Sequence, residues 1–325
     1  MKRSLLFTLL PLFAAVLIIE SGCGGAATDV SSTNLASTIP PPTGTRIANY
    51  DSIPHFDHVA LVIFENQETE KILDNPSMPW LNNLAQQNAY AGNYYADTHP
   101  SLPNYFMLST GQTIATNNDY GQVVTADNIV RELVAAGKSW KAYEDSLPRP
   151  GYVGDMAQPY EKTHDPAAYF IDVRMVPAQA ANLVPLTQLQ TDMAAGTLPS
   201  FMFIEPNQYN AMHDCPPDNP GCDNNDKLTV GDNWAQQTLG PLMNSPAFQN
   251  GLLIVTWDES WDNDNRHGGG HVPVILVGSG IKSQFVSSTA YQHESTLRLI
   301  CNAVQIPCMG NSLSAAPMTE FFTGH

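Results

Sequence analysis

The fold of this chain is decided by the run His58-Val-Ala-Leu-Val-Ile-Phe64, which leads directly into Glu65-Asn66. A short, apolar and β-branched run of this kind predicts a strand that is buried on both faces. Further predicted strands lie at residues 139–143, 200–204, 252–257 and 272–277. Predicted helices lie at residues 78–87, 104–110, 128–136, 186–195, 232–244 and 293–304. This alternation predicts the α/β class, with a central, mostly parallel sheet and helices on both faces.

Polar residues follow three of these strands. Glu65-Asn66 follows the first, Glu205-Pro-Asn207 follows the run at 200–204, and Asp258-Glu259 follows the run at 252–257. At any single strand, solvated loop residues would explain the pattern equally well. Ligands of open α/β sheets bind beyond the carboxyl ends of the strands, so three such ends predict a shared site. Carboxylate and amide oxygens suit a divalent cation, and the chain has imidazoles for a borderline metal such as zinc.

A second candidate feature is the segment Thr98-His-Pro-Ser-Leu-Pro-Asn-Tyr105. Ser101 is placed at the start of a helix, with Pro103 in its first turn, where proline is tolerated. Ser101 could simply cap that helix. Alternatively, its hydroxyl is a nucleophile that a base or a metal activates, at a helix N-terminus that favours an anion such as phosphate.

The charge of the chain excludes some functions. The 325 residues carry a formal net charge of −17, and only 14% of them are charged, whereas 43% are hydrophobic. The apolar content is sufficient for a folded core. A chain this acidic is no general binder of nucleic acid and does not dock electrostatically on anionic lipid.

The N-terminal part has the pattern of an export signal followed by a tether. Lys2-Arg3 precedes an apolar stretch that is too short for a membrane-spanning helix, so residues 1–22 are predicted to be a signal peptide. Cys23 stands where a bacterial lipoprotein carries its lipid, and plain cleavage is the alternative. Residues 23–49 form a predicted tether rich in Ser, Thr and Pro, and residues 50–325 form the folded domain. We therefore expect a periplasmic or outer-membrane lipoprotein, or a secreted protein, with membrane contact only through a lipid on Cys23.

The cysteines agree with export. Besides Cys23, four remain in two pairs with seven-residue separation, and an oxidising compartment predicts the disulfides Cys215–Cys222 and Cys301–Cys308. The acidic stretch 218–226 could bind calcium, although a solvated loop tied by a disulfide explains it as well. Trp261 lies close to the predicted site and could contact a leaving group.

Several motifs in order resemble a known family. They are Glu65-Asn66, Thr98 to Tyr105, His164-Asp-Pro-Ala-Ala-Tyr-Phe170, Pro206-Asn207 with Met212-His-Asp214, Gly231-Asp-Asn-Trp234, Thr256-Trp-Asp-Glu259, His271-Val-Pro273 and Tyr291-Gln-His293. The chain resembles, from about residue 56 to about residue 305, the phosphoesterase family of acid phosphatases and phospholipases C, within the alkaline phosphatase superfamily. The small secreted acid phosphatases of bacteria are the most similar in pattern. The resemblance implies an alkaline phosphatase-like fold and makes residues 50–325 a phosphoesterase catalytic domain.

The resemblance also implies roles for individual residues. Ser101 matches a nucleophile that is transiently phosphorylated, and Asn104 matches an amide that binds a phosphate oxygen. His213 matches a histidine that binds phosphate or protonates the leaving group, with Asp214 orienting it. A divalent metal ion of unassigned identity is implied, and its ligands match Glu65, Asn66, Ser101, Asp258 and Glu259. Four further histidines fall in family motifs with less defined roles: His99, His164, His271 and His293.

One departure from the family pattern concerns residue 211, where members commonly carry an acid and this chain carries Ala211. The larger phospholipases C have an additional C-terminal domain, for which this sequence is too short. We therefore expect an exported acid phosphatase that hydrolyses monoesters through a metal-assisted phosphoserine. Its partner would be a small phosphate ester, with phosphoinositides and nucleotides as candidates. The alternatives are a phospholipase C-type phosphodiesterase and a non-catalytic lipoprotein that binds a phosphorylated ligand.

Overall fold

The computed structural model describes residues 39–46, 53–261 and 263–324. The predicted signal peptide, Cys23 and most of the predicted tether lie outside the described residues. So do residue 50, where the folded domain was predicted to begin, and Asp262.

An eight-stranded, mostly parallel sheet forms the centre of the molecule. Its spatial order is β5-β4-β6-β1-β7-β8-β2-β9, and a separate two-stranded sheet pairs β10 with β3. The strands are β1 (His58–Phe64), β2 (Ala89–Ala91), β3 (Tyr94–Tyr95), β4 (Trp140–Glu144), β5 (Leu183–Pro185), β6 (Phe201–Glu205), β7 (Gly251–Trp257), β8 (Val274–Gly278), β9 (Phe285–Ser287) and β10 (Tyr291–Gln292). Strand β1 lies between β6 and β7 and is parallel to both, whereas β8 runs antiparallel to β7.

Nine α-helices occur in the described part of the chain. They are α1 (Thr69–Ile72), α2 (Pro79–Gln87), α3 (Ser101–Thr110), α4 (Ile129–Ala135), α5 (Ile171–Arg174), α6 (Pro177–Ala180), α7 (Gln188–Ala195), α8 (Asn224–Met243) and α9 (His293–Val304). Helix α9 packs on α3, and α8 packs on α2. Every side chain from Val59 to Phe64 is fully buried. Because successive strand residues point to opposite faces, both faces of the sheet are covered, as predicted.

One helix boundary differs from the prediction in an instructive way. The helix predicted at 232–244 begins at Asn224, where Asp223 and Asp226 form a capping box. Asp232, predicted as its cap, lies inside the helix and accepts hydrogen bonds from the backbone N–H groups of Trp80 (3.0 Å) and Leu81 (2.8 Å). It therefore caps the neighbouring helix α2, a tertiary contact that local sequence does not reveal.

The cysteines follow the prediction in one pair only. Cys215 and Cys222 form a disulfide. Cys301 and Cys308 are free thiols in the structure, so the predicted second disulfide is not present. Both are buried, and burial raises the pKa of the Cys301 thiol, which also hydrogen-bonds with Cys308. A raised thiol pKa keeps Cys301 protonated and unreactive.

Candidate active site

Ser101 is the first residue of helix α3, and its hydroxyl lies between two carboxylates. Its Oγ is 3.1 Å from Glu65 Oε2 and 3.1 Å from Glu259 Oε1. Glu65 follows the last residue of β1, and Glu259 lies two residues beyond the last residue of β7. Since β1 and β7 are parallel neighbours, their carboxyl ends meet at the N-terminus of α3. We refer to Glu65, Asp258 and Glu259 around Ser101 as the serine cluster.

Glu65 receives several polar contacts although it is fully buried. The Tyr105 hydroxyl donates to its Oε1 at 2.6 Å, and His164 Nε2 lies 3.2 Å from the same atom. Burial, and secondly the charge of Asp258, raise the pKa of Glu65 well above its ordinary value. A hydroxyl has one proton to donate, so the two contacts of Ser101 are both satisfied when Glu65 is protonated and donates to Oγ while Ser101 donates to Glu259.

Glu259 is held from the other side by a histidine. His99 Nδ1 lies 2.5 Å from Glu259 Oε2, and His99 Nε2 lies 3.0 Å from the backbone oxygen of Asp264. The ring is therefore fixed at both nitrogens. This arrangement orients Glu259 Oε1 toward Ser101.

Asp258 completes the serine cluster. Its Oδ1 accepts from the backbone N–H of Asn66 at 3.1 Å, and its backbone oxygen lies 2.6 Å from Nε2 of the buried His293. Its Oδ2 is buried and has no hydrogen-bond partner among the described residues. Burial, followed by the charge of Glu259, raises the pKa of Asp258 to about 8.

Asn104 organises the loop in front of the helix. Its Oδ1 accepts from the backbone N–H groups of Asp97 and Thr98, and its Nδ2 donates to the Thr98 oxygen at 2.8 Å. The amide is fully buried. In this structure it therefore shapes the backbone around Ser101 through hydrogen bonds to the chain.

Ser101 opens into a cavity of about 510 Å³. His164 and His213 both line it, with ring centroids 6.4 Å apart, and His213 Nδ1 is 2.8 Å from Asp214 Oδ1. His164 is buried, and burial lowers its pKa well below the ordinary value, with the charge of His213 as the second cause. His164 is therefore neutral, whereas the half-exposed His213 is accessible to a bound molecule.

His271 stands apart from the other predicted site residues. Its ring nitrogens contact Glu70 Oε1 (3.0 Å) and the Gly92 backbone oxygen (3.1 Å), and its ring packs on Tyr95. It is not among the residues that line the Ser101 cavity.

The serine cluster fits a divalent cation by the chemistry of its donors. Hard carboxylate oxygens surround the hydroxyl, and Asp258 Oδ2 is a buried oxygen without a hydrogen-bond partner among the described residues. Within those residues, no group of three or more His, Cys, Asp or Glu side chains is already arranged to hold a metal ion. Binding would thus require the carboxylates to be deprotonated and to adjust their positions.

Two features of this region were missed from the sequence. Tyr105 lies one helical turn after Ser101, on the same face of α3, and that spacing is the signal that could have found it. The other is the grouping of Glu205, which was predicted to share a site with Glu65 and Asp258-Glu259, with Glu144 and Asp165 in a second acidic cluster. Glu144 and Glu205 are register partners at the carboxyl ends of β4 and β6. Burial raises the pKa of both, and raises the pKa of Asp165 to about 7.

Comparison with known proteins assigns the family. A model described as the Phosphoesterase family matches residues 64–307, a span that contains the serine cluster, Ser101 and His213. The chain belongs to the Phosphoesterase family. It is therefore a hydrolase that acts on phosphoric ester bonds, and the resemblance noted in the sequence is confirmed.

Two relatives illustrate the similarity to other phosphoesterases. The phosphatidylinositol-3-phosphatase of Mycobacterium tuberculosis is 28% identical over 273 residues, covering 83% of this chain and 84% of that protein. The acid phosphatase of Aspergillus fumigatus is 26% identical over 279 residues, covering 81% of this chain. The chain spans only 58% of the length of that fungal relative.

Solved structures confirm the fold. A protein of the alkaline phosphatase superfamily from Vibrio parahaemolyticus superposes with a TM-score of 0.58 at 11% identity, covering 87% of this chain and 78% of the other. The lipoteichoic acid synthase LtaP from Listeria monocytogenes gives 0.57 at 11% identity, covering 84% and 80%. In the part of this phosphoesterase that the structure describes, no helix has the length and apolar character needed to span a membrane.

Proposed function

We propose that this phosphoesterase is an acid phosphatase that hydrolyses phosphate monoesters through a phosphoserine at Ser101. The observation that carries the proposal is the position of the Ser101 hydroxyl, which lies 3.1 Å from carboxylate oxygens of Glu65 and Glu259 and opens into the cavity. A carboxylate at this distance can accept the hydroxyl proton as the oxygen attacks phosphorus. The names of the mycobacterial and fungal relatives support a phosphatase.

The first half-reaction forms the Ser101 Oγ–P bond and breaks the bond between phosphorus and the leaving alkoxide. The Ser101 proton passes to Glu259, which His99 holds in place. The helix dipole of α3, whose N-terminus carries Ser101, stabilises negative charge on the phosphoryl oxygens. His213, oriented by Asp214, donates its proton to the leaving oxygen.

The second half-reaction returns the enzyme to its starting state. His213, now neutral, accepts a proton from a water molecule that attacks the phosphoserine. The Oγ–P bond breaks, Ser101 recovers its proton, and inorganic phosphate leaves. We expect activity to favour acidic pH, because protonation of the leaving oxygen needs a protonated acid, and equal activity from pH 5 to pH 8 would contradict this step.

The proposal includes a divalent cation, with Glu65, Asn66, Ser101, Asp258 and Glu259 as the residues that would hold it. Such an ion supplies Lewis-acid stabilisation of the phosphoryl charge and lowers the pKa of a bound hydroxyl.

The proposal also includes export by residues 1–22 and a lipid on Cys23. Cys23→Ser should abolish incorporation of labelled palmitate in a bacterial host while the wild type is labelled; an unlabelled wild type would exclude the anchor.

The experiment that tests the function is release of phosphate from p-nitrophenyl phosphate by the wild type, Ser101→Ala and Ser109→Ala. Ser109 is a matched control, because it is buried in the same helix and its hydroxyl donates to the backbone oxygen of Tyr105. Loss of the nucleophile should lower kcat at least about 10³-fold, whereas Ser109→Ala should stay active. Acid-quenched wild type should contain phosphoserine at residue 101. Activity of Ser101→Ala near the wild-type level would contradict the mechanism, and turnover of bis-p-nitrophenyl phosphate alone would indicate a phosphodiesterase.

A further inference from the structure

A second cleft has a volume of about 430 Å³ and is bordered by the loops that continue from the serine cluster. Its lining residues are Glu68, Lys71, Asn224, Trp261 and Asn263. Two of its walls are continuations of the strands that carry the serine cluster. Glu68 lies three residues after Glu65, and Trp261 lies two residues after Glu259. Because β1 and β7 are neighbouring parallel strands, the two loops leave the same edge of the sheet side by side.

Trp261 is the distinctive wall of this cleft. It is 42% exposed, whereas Trp140, Trp234 and Trp257 are buried in the core. An indole exposes a large apolar surface to water, and covering that surface stabilises a complex. A tryptophan that lines a concave surface is therefore suited to cover the apolar face of a bound ring.

The remaining walls present hydrogen-bonding groups, of which Asn224 is held in place by its neighbour. Asn224 is held by a reciprocal pair of bonds with the buried Gln67: Gln67 Nε2 donates to Asn224 Oδ1, and Asn224 Nδ2 donates to Gln67 Oε1, both at 3.1 Å. Glu68 Oε2 is a buried acceptor with no hydrogen-bond partner among the described residues. Lys71 adds an ammonium donor whose charge offsets that of Glu68, so the cleft offers no excess of positive charge to an anion.

A ligand for this cleft needs an apolar face and a rim of groups that both donate and accept hydrogen bonds. Hydroxyl groups on a saturated ring meet both conditions, because each is a donor and an acceptor while the ring C–H groups form the apolar face. We propose that the cleft binds a polyhydroxylated ring, a hexose or a cyclitol, with the ring stacked on Trp261 and its hydroxyls bound by Glu68 and Asn224. The binding itself does not depend on the chemistry proposed for Ser101.

The test is direct binding of unreactive rings to the intact protein. Methyl β-glucopyranoside and myo-inositol are titrated while saturation-transfer NMR and tryptophan fluorescence are recorded. At least one ring should bind saturably to the wild type, and Trp261→Ala should weaken that binding at least about tenfold. Trp261→Phe, which keeps an aromatic face, should restore most of the affinity. Equal thermal unfolding of the variants would show that they are folded.

Two results would overturn the proposal: no saturable binding of either ring to the wild type, or affinity that is unchanged in Trp261→Ala. Because these readouts need no turnover, they stay interpretable if Ser101 proves not to be the nucleophile.

A second arm, which rests on the proposed function, identifies the source of the ring by comparing kcat/KM for glucose 6-phosphate and inositol 1-phosphate with that for methyl phosphate. If Trp261→Ala lowers kcat/KM only for the two ring substrates, the ring belongs to the substrate. If it weakens ring binding and changes no kcat/KM, the cleft binds a separate saccharide.

Discussion

Two groups of buried carboxylates lie at the carboxyl edge of the same sheet, and they differ in the hydrogen-bond donors around them. In the serine cluster, Glu65 is contacted by Ser101, Tyr105 and His164. In the second acidic cluster, neither side-chain oxygen of Glu205 has a hydrogen-bond partner among the described residues. Burial raises the pKa of Glu65 and of Glu205 alike.

The difference shows that acids at strand ends do not by themselves make a reactive site. In the serine cluster, the contacting groups are Ser101 and Tyr105 of helix α3 together with His99 and His164. In the second acidic cluster, Asp165 receives two donors: the Tyr160 hydroxyl lies 3.1 Å from its Oδ2, and the backbone N–H of Ala168 lies 3.1 Å from its Oδ1. Burial without donors disfavours the charged form, so the protonated form of Glu205 is favoured. We therefore expect the first group to control catalysis and the second to control stability.

The largest expected effect comes from a matched pair of substitutions. Glu65→Gln keeps the shape of the side chain but removes a carboxyl group that contacts Ser101 and is proposed to hold the cation, so kcat/KM should fall by about 10²- to 10⁴-fold. Glu205→Gln makes the same change in the second acidic cluster and should leave kcat/KM within about threefold of the wild type, since Glu205 contacts neither Ser101 nor the cavity. The measurement is phosphate release by both folded variants. Equal losses would show that the two clusters act as one unit.

The second effect concerns the dependence of stability on pH. The pKa of Asp165 is raised by burial to about 7, and that of Glu205 is also raised. A carboxyl whose pKa is higher in the folded than in the unfolded state stabilises the fold at low pH, and this contribution is lost as pH rises through the folded value. The free energy of unfolding should thus decrease between about pH 5 and pH 8, and Glu205→Gln should reduce that decrease by about 1–3 kcal/mol.

Urea denaturation at pH 5 and pH 8, with a chelator present throughout, measures this slope. Asp57→Asn is a suitable control, because Asp57 has an exposed carboxylate at the surface. It should retain the slope of the wild type. A Glu205→Gln slope that equals that of the wild type would show that Glu205 is not protonated on folding.

The smallest expected effect concerns the two tyrosines that donate hydrogen bonds to the clusters. Tyr105→Phe removes the hydroxyl that donates to Glu65 Oε1 at 2.6 Å, and it should lower kcat by about tenfold and stability by about 1–2 kcal/mol. Tyr160→Phe removes the hydroxyl that donates to Asp165 and should lower stability by a similar amount without changing kcat. Kinetics and urea denaturation of the two variants provide the comparison. A loss of kcat in Tyr160→Phe would place the second acidic cluster in the reaction.

Much of the fold and part of the site were predictable from local sequence. The apolar runs predicted the four central strands because burial on both faces leaves an unbroken hydrophobic pattern. The short strands β2, β3, β5, β9 and β10 were missed, since two or three residues carry no period. The start of α8 was placed eight residues late because its first turn, residues 224–227, consists of polar residues and shows no apolar stripe.

The candidate functional residues divide in the same way. The chemistry of Ser101, Glu65 and Glu259 could be inferred from their type and from their positions after strands or before a helix. Their mutual distances could not, because Glu65 and Glu259 are 194 positions apart in the numbering and meet only through the pairing of β1 with β7. The bond between His271 and Glu70 likewise arises from tertiary packing, whereas Asn104 bonds to residues only six and seven positions before it.

The sequence by itself determined the class of fold, the edge of the sheet at which the candidate site lies and the family of this phosphoesterase. These follow from hydrophobic period, from the rule for strand ends and from short motifs, all of which are local. Only the tertiary structure decided which carboxylates receive hydrogen-bond donors, which remain buried without them, and that Trp261 lines an open cleft. Those outcomes depend on the order of strands and the packing of helices, which bring distant residues into contact and set the free energy of each buried charge.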